Sequence, residues 1–267
     1  MPQPSTLRFC SLGSGSTGNA AVVESRQGGV VRRLLVDCGF GPRQLEQRLM
    51  RAGLVCSDIN AVFVTHEHSD HVGSAVRFAQ RYKVPLWMSS GTYAAIGSPS
   101  LGHLLQLVRD GDRIDLGNFE AIAFTVPHDA REPLQLRCSD GARQLGIATD
   151  LGHATAHVLN NIAHCDALLL EANHDPDLLS RSAYPPFLQK RIAGPLGHLP
   201  NQTAADILRA VMHPRLTQVV AAHLSARNNH ADIVRPLLSQ VLGWQPNRLV
   251  IANPEHGTPW IPVGEPA

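Results

Sequence analysis

Short apolar runs cut by Gly, Asp and Asn recur along the whole chain. Leu and β-branched residues fill them, and runs of this length between turn residues predict strands. The predicted strands cover 7–12, 20–24, 31–36, 61–65, 84–89, 119–126, 134–138, 145–149, 167–170, 218–222 and 248–252. Helical patterns fall between them over 42–52, 70–82, 154–162, 202–212 and 231–242. Pro42 suits the first turn of its helix and Gly53 its end. Ser69 is the expected N-cap of the second helix. Asp140-Gly141, between two strand-like runs, predicts a hairpin turn.

One unit recurs. Leu34-Leu35-Val36-Asp37-Cys38-Gly39 leads through a helix to the run 61–65 and His66. Gly146-Ile147-Ala148-Thr149-Asp150-Leu151-Gly152 leads through a helix to the run 167–170 and Glu171. Each copy is strand, acidic residue, glycine, helix, strand and polar residue. Two such halves packed face to face predict an α/β protein, a four-layer αββα sandwich with its polar strand ends gathered at one edge. No low-complexity linker interrupts the pattern, so a single domain over 1–267 is expected.

With 43% hydrophobic and 17% charged residues, the chain can bury a full core. A formal net charge of +1 excludes a global electrostatic footprint for nucleic acid or an anionic membrane and leaves room only for a local basic groove. Cys10, Cys38, Cys56, Cys138 and Cys165 are scattered and form no C-x-x-C, which argues against a disulfide framework and a cysteine zinc site. Met1-Pro2-Gln3-Pro4-Ser5-Thr6 lacks the basic start and apolar stretch of a leader, and no apolar run reaches the ~18 residues that span a bilayer. A cytoplasmic protein without membrane contact is expected.

The densest chemistry lies in His66-Glu67-His68-Ser69-Asp70-His71, between a predicted strand and a predicted helix. It carries four candidate ligands, and imidazole with carboxylate is the donor set that holds zinc, manganese or iron. Further candidates follow the same placement rule at strand ends: Asp37, His128, Asp150 and His223. His66, His68 and His128 can make one three-imidazole site. Asp70, His71 and His223 can make a second, with Asp150 bridging the two. Each ion then keeps an open position, as catalytic sites do. Two ions ~3.5–4 Å apart can share a hydroxide and clamp an oxyanion, which suits hydrolysis. Asp37 is one carboxylate more than the ligand count needs and is expected to orient a histidine or the bridging water.

In its residues and their order, His66-x-His68-x-Asp70-His71 with Asp37 before it and His128, Asp150 and His223 after it resembles the metallo-β-lactamase-fold hydrolase superfamily, over essentially the whole chain. That superfamily includes lactamases, glyoxalase II, lactonases, phosphodiesterases and nucleases. Asp70 in the hexapeptide points away from those lactamases that use a cysteine in the second site. Leu170-Glu171-Ala172-Asn173-His174-Asp175, Gly197-His198-Leu199-Pro200-Asn201 and Ala222-His223-Leu224-Ser225 resemble the nuclease branch, ribonuclease Z among it. This resemblance implies a catalytic set of Asp70, Glu171 and His198, in which His198 protonates the leaving oxygen and Glu171 holds its tautomer. The chemistry is sound in itself, because a phosphodiester leaving group needs a proton and a carboxylate-oriented histidine supplies one near neutral pH.

The run Ser11-Leu12-Gly13-Ser14-Gly15-Ser16-Thr17-Gly18-Asn19, together with Thr149-Asp150-Leu151-Gly152, Tyr184-Pro185 and Lys190-Arg191-Ile192, is similar to the YycJ/WalJ-like group. That resemblance implies a DNA exonuclease of 5′ to 3′ direction. Pro200 departs from the small hydroxyl residue usual in the group. Ser14, Gly15 and Ser16 could cradle a phosphate on backbone N–H groups, with a plain turn as the even alternative. Arg227 and Asn228, just after the His223 motif, are further phosphate candidates. The expected function is thus a binuclear phosphodiesterase with two divalent ions (zinc or manganese, iron also suited) in which a metal-bridged hydroxide attacks phosphorus of nucleic acid, DNA before RNA. The alternatives are a small-molecule phosphodiesterase or a thioester or lactone hydrolase on the same site, and a metal-binding regulatory protein.

Overall fold

A computed structural model describes residues 6–264; the leader reading of the N-terminus lies, up to Ser5, outside the described residues. The strands form two seven-stranded sheets. The first sheet takes β1 (Thr6–Gly13), β2 (Ala20–Gln27), β3 (Val30–Val36), β4 (Ala61–Phe63), β5 (Leu86–Met88) and β6 (Leu105–Leu107). The second takes β7 (Arg113–Asp115), β8 (Glu120–Thr125), β9 (Leu134–Ser139), β10 (Gln144–Ala148), β11 (Ala167–Glu171), β12 (Gln218–Ala222) and β13 (Val250–Ile251). The chain then returns through β14 (Ile261–Pro262) to pair with β1. The orders are β14-β1-β2-β3-β4-β5-β6 and β13-β12-β11-β10-β9-β8-β7. The hairpins of each sheet are antiparallel, and the strands joined through helices are parallel, as crossover connections require.

Successive side chains of a strand face opposite sides, and here both sides are dry. Leu34, Val36, Phe63, Ile147, Leu169 and Val220 fill the space between the sheets with Phe9, Leu134 and Leu136. Their sequence neighbours Leu35, Val62, Leu168, Leu170 and Val219 turn outward to the helices. The first sheet is covered by α1 (Pro42–Arg51), through Leu45 and Leu49, and by Phe78 and Ala79. The four layers expected from the repeat are therefore present, with an apolar filling in each of the three spaces between them. No helix among the described residues is long and apolar enough to cross a membrane.

The expected helix 70–82 is two helices, α2 (Ser69–Val72) and α3 (Ala75–Tyr82), broken at Gly73. Gly73 has φ +30°, and a Cβ there would sit 2.4 Å from the Cys38 carbonyl oxygen. Ser69 is the first residue of α2 and not its cap; His68 holds the cap position, and Ser74 that of α3. The expected strand 84–89 shortens because Ser89 leaves it to cap α4 (Ser90–Ala95), its hydroxyl accepting from the Thr92 N–H. The run 248–252 begins with a helical turn over Pro246–Arg248 and pairs only at β13. Opposite the first sheet, α5 (Ala156–Ile162) opens on Thr155, whose hydroxyl accepts from the Val158 N–H. Two short helices follow, α6 (Pro176–Ser180) and α7 (Pro186–Ile192), then α8 (Asn201–Val211) and α9 (Ala231–Leu242). Val158, Ala204, Leu208, Val234 and Leu238 carry the outer core of the second sheet.

Asp37, Asp150 and His223 stand at or just past the C-terminal ends of β3, β10 and β12, and all three adopt left-handed backbone (φ 61°, 54° and 54°). Non-glycine residues reach this region only at a cost of ~1–3 kcal/mol and concentrate at functional sites. The conformation turns each chain off its sheet just where the polar side chain is needed.

Candidate metal centre

The hexapeptide is clamped by backbone before any side chain acts. Asn19 N–H donates to the Asp70 carbonyl at 2.8 Å, and Cys38 N–H to that of His71 at 2.8 Å. Gly39 makes this approach possible, since a Cβ there would lie 1.7 Å from the Asp70 carbonyl oxygen. The short α2 then turns Asp70 and His71 inward.

Three imidazoles converge as the sequence predicts. His66 Nε2 lies 3.0 Å from His68 Nδ1, which lies 3.3 Å from His128 Nε2. His66 and His128 engage their other nitrogens, with Thr65 Oγ1 at 2.9 Å and the Gly197 carbonyl at 3.1 Å. These bonds set ring orientation and leave Nε2 of each for the cluster, the usual arrangement of a ligating histidine.

The second group forms beside the first. Asp70 Oδ2 is 3.6 Å from His71 Nε2 and 3.7 Å from His223 Nε2. Asp150 is buried between them, with Oδ2 at 3.3 Å from His71 Nε2 and Oδ1 at 3.4 Å from His223 Nε2. Asp37 lies behind: its Oδ2 accepts from His71 Nδ1 at 2.8 Å and its carboxylate accepts from Thr65 N–H and Oγ1. Potential donor atoms within each of the sets His66/His68/His128, Asp70/His71/His223 and His66/His71/Asp150 all lie within 4.8 Å of one another.

Glu171, at the end of β11, is wholly buried. Its Oε1 accepts from His198 Nδ1 at 2.7 Å and sits 3.2 Å from His223 Nδ1. Its Oε2 accepts from the Leu151 N–H at 2.9 Å. With Nδ1 engaged, His198 presents Nε2 to the pocket that it lines.

The electrostatics are those of a site made for cations. Burial pushes the Asp150 carboxyl up, but His223 and His71 outweigh burial and hold it well below the usual range. Burial pushes the His71 imidazole down, yet Asp150 and Asp37 carry it well above its usual value. His223, against the same burial, is raised to about 10 by Asp150, Asp70 and Glu171. Burial keeps His66 and His128 low and therefore neutral, the form that ligates. Asp150 Oδ2 and His223 Nε2 are buried without any hydrogen bond. Orphans of this kind cost ~1–3 kcal/mol each, and a divalent cation satisfies both at once. The donor set is the one that suits zinc, manganese or iron, so these residues fit a divalent metal.

Residues 32–224 match the Beta-lactamase superfamily domain. The chain belongs to the metallo-β-lactamase-fold superfamily. Exodeoxyribonuclease YycJ of Bacillus anthracis is 32% identical to it, over 88% of this chain and 89% of that one. Exodeoxyribonuclease WalJ of Streptococcus pneumoniae is 29% identical, over 89% and 90%. The crystal structure of the metallo-β-lactamase fold protein YhfI from Bacillus subtilis aligns with a TM-score of 0.72 at 15% identity, covering 97% of this chain and 100% of that one, a likeness of fold. The protein is a metal-dependent hydrolase.

A pocket of about 280 Å³ opens over the metal centre of this metallo-β-lactamase-fold hydrolase, lined by Asp70, Asp150, His198 and His223 and, on its outer wall, by Tyr184, Leu188, Arg191 and Ile192. Of the five phosphate candidates only Ser16 is among its lining residues. The cradle reading of Ser14 and Gly15 gives way to the turn: Ser14 Oγ accepts from the His223 N–H at 2.8 Å, and the Gly15 N–H is spent on Asn19 Oδ1 at 2.9 Å. Asn228 is fully buried, which removes it from reach of a substrate. Arg227 is exposed and lies over the Tyr184 ring, its guanidinium carbon 5.6 Å from the centroid.

Three site residues escape the sequence reading. Asn19 Nδ2 lies 3.1 Å from His71 Nε2 and 3.3 Å from Asp70 Oδ2. Thr65 joins Asp37 to His66 through its hydroxyl. Asp129 lies 3.5 Å from His128 Nε2 and pairs with Arg191. The signals were adjacency alone: Thr65 and Asp129 each neighbour a ligand, and Asn19 ends the Ser/Gly run.

Proposed function

We propose that this protein is a phosphodiesterase that degrades nucleic acid, DNA before RNA, as a 5′ to 3′ exonuclease of the cytoplasm that works as one domain with two divalent ions. The reading assigns His66, His68 and His128 to one ion and Asp70, His71 and His223 to the other, with Asp150 between them and Asp37 orienting His71. Zinc and manganese suit the mixed donors best, and iron is compatible. Such ions supply an activated water and neutralise charge on the phosphoryl oxygens. The rest is the work of the chain.

The observation that carries the reading is the 2.7 Å contact between Glu171 and His198 beside the ligand cluster. An alkoxide leaving group is poor until protonated, and a positioned general acid contributes ~10²–10⁴-fold. His198 Nε2 donates that proton. Glu171 holds the tautomer through Nδ1 and stabilises the ring as its charge changes, while the Leu151 N–H fixes the carboxylate. Asp70 serves both as ligand and as a carboxylate at the pocket wall. Two relatives named as exodeoxyribonucleases, similar over most of their length, support DNA as substrate.

The test is a panel of single-stranded DNA, RNA, bis-p-nitrophenyl phosphate and an acyl thioester, each with Mn²⁺ or Zn²⁺. Release of mononucleotides from the 5′ end of labelled DNA is expected. Turnover confined to the thioester would overturn the reading.

A further inference from the structure

Residues 180–196, which include α7, contain no fully buried residue, although they form the outer wall of the catalytic pocket. The segment is held to the body by polar contacts, among them the Arg191–Asp129 ion pair and the His198 N–H on the Ile192 carbonyl at 2.9 Å. The Asp129 N–H donates to the Leu196 carbonyl at 2.9 Å, and the Asp175 N–H to that of Asn228 at 2.8 Å. Tyr184, Leu188, Arg191 and Ile192 recur at helical spacing and face the pocket. Phe187 is not among the lining residues. It is 72% exposed, the most exposed large hydrophobic side chain among the described residues.

A single exposed phenyl ring is ordinary on a protein surface; this one stands on the helix that walls the pocket and is free to bind. Its neighbours say what. Arg191 stands one helical turn on (i, i+4) and Lys190 at i+3, while Arg227 covers the ring of Tyr184 at the base of the helix. Neither Lys190 nor Arg227 has an acidic partner within ion-pair distance among the described residues. Exposed aromatic rings interleaved with free cations form the stacking and backbone-tracking surface that single-stranded nucleic acid uses, because every base offers a π-face and every link a charge. An apolar protein partner would need no such cations.

We propose that Phe187 is a stacking platform for a base of the single strand that enters the pocket, with Lys190 and Arg227 on its phosphates. The proposal rests on the nucleic-acid reading above and makes α7 the element that separates polymeric from small diester substrates.

The variants Phe187→Ala and Phe187→Trp test it, with a single-stranded oligothymidylate and bis-p-nitrophenyl phosphate as substrates. Phe187→Ala is expected to lower kcat/KM on the oligonucleotide about 10-fold or more, mainly through KM, in line with the loss of one base stack. Turnover of the small diester should stay unchanged. Phe187→Trp should restore oligonucleotide turnover. Placed in a His198→Ala background that spares the strand, its added indole emission should be quenched by the oligonucleotide. Equal loss on both substrates, no loss on either, or no quenching would overturn the proposal. So would a dimer that Phe187→Ala dissociates, which would give the ring to a second copy. If the wild-type protein cuts no nucleic acid, the function reading fails by itself, and the quenching titration still decides the stack.

Discussion

Glu171 Oε1 lies 2.7 Å from His198 Nδ1. The same oxygen stands 3.2 Å from His223 Nδ1, so one buried carboxylate contacts both the proposed proton donor and a candidate ligand.

Removing the donor should therefore separate chemistry from metal binding. His198→Ala is expected to lower kcat on DNA by ~10²–10⁴-fold with metal content unchanged. The loss should shrink on bis-p-nitrophenyl phosphate, whose leaving group departs without a proton. Glu171→Gln should lower kcat as well and also weaken metal binding, since it touches His223. Steady-state kinetics on the two substrates, with metal analysis, check this. Equal losses of His198→Ala on both substrates would remove the general-acid role.

Asp37 touches the cluster directly at His71, at 2.8 Å, and reaches His66 through the Thr65 hydroxyl. Loss of such an outer partner typically costs ~10–100-fold in metal affinity. Asp37→Ala should show a drop of that size in chelator competition, and an unchanged affinity would show that the contact orients nothing. Asp37→Asn, which keeps an acceptor, should recover part of it.

Much of this was legible in the sequence, and the reason is geometric. Ligand-type residues at the ends of strands must meet when those strands lie in two facing sheets, so His66, His68, Asp70, His71, His128, Asp150 and His223 could be grouped from order and placement. What stayed hidden depends on contacts across the chain. The helix breaks at Gly73, where φ is +30° and the Cys38 carbonyl leaves room for no Cβ, a contact that no local pattern records. The strands β6, β7, β13 and β14 span only two or three residues, too few for alternation to appear. Ser14 and Gly15 suit a phosphate cradle and a plain turn equally in the sequence, and only their contacts with His223 and Asn19 favour the turn.

Away from the site, Glu24 should dominate the acid limb of stability. Its side chain is fully buried, with Arg8 and Arg26 at 2.7 Å and Arg33 at 2.6 Å. Burial pushes its carboxyl up, but the three guanidinium groups outweigh burial and hold it below the usual value. A carboxyl lowered on folding stabilises above its unfolded pKa of ~4.3 and loses that stabilisation as pH falls through the folded value. Glu24→Gln should thus cost about 3 kcal/mol at pH 7, and the gap should narrow below about pH 4. The titrating metal ligands are common to both proteins and cancel. Urea unfolding of the two metal-free proteins at both pH values checks it, and a gap that is the same at both would contradict it.

The most direct test is a titration of the metal-free protein with Mn²⁺ while cleavage of single-stranded DNA is followed. If the two ligand sets hold two ions that act together, cleavage should appear only as the second equivalent binds. Asp70→Ala should bind one equivalent and stay inactive. Full cleavage at a single equivalent, or none at two, would contradict a binuclear nuclease.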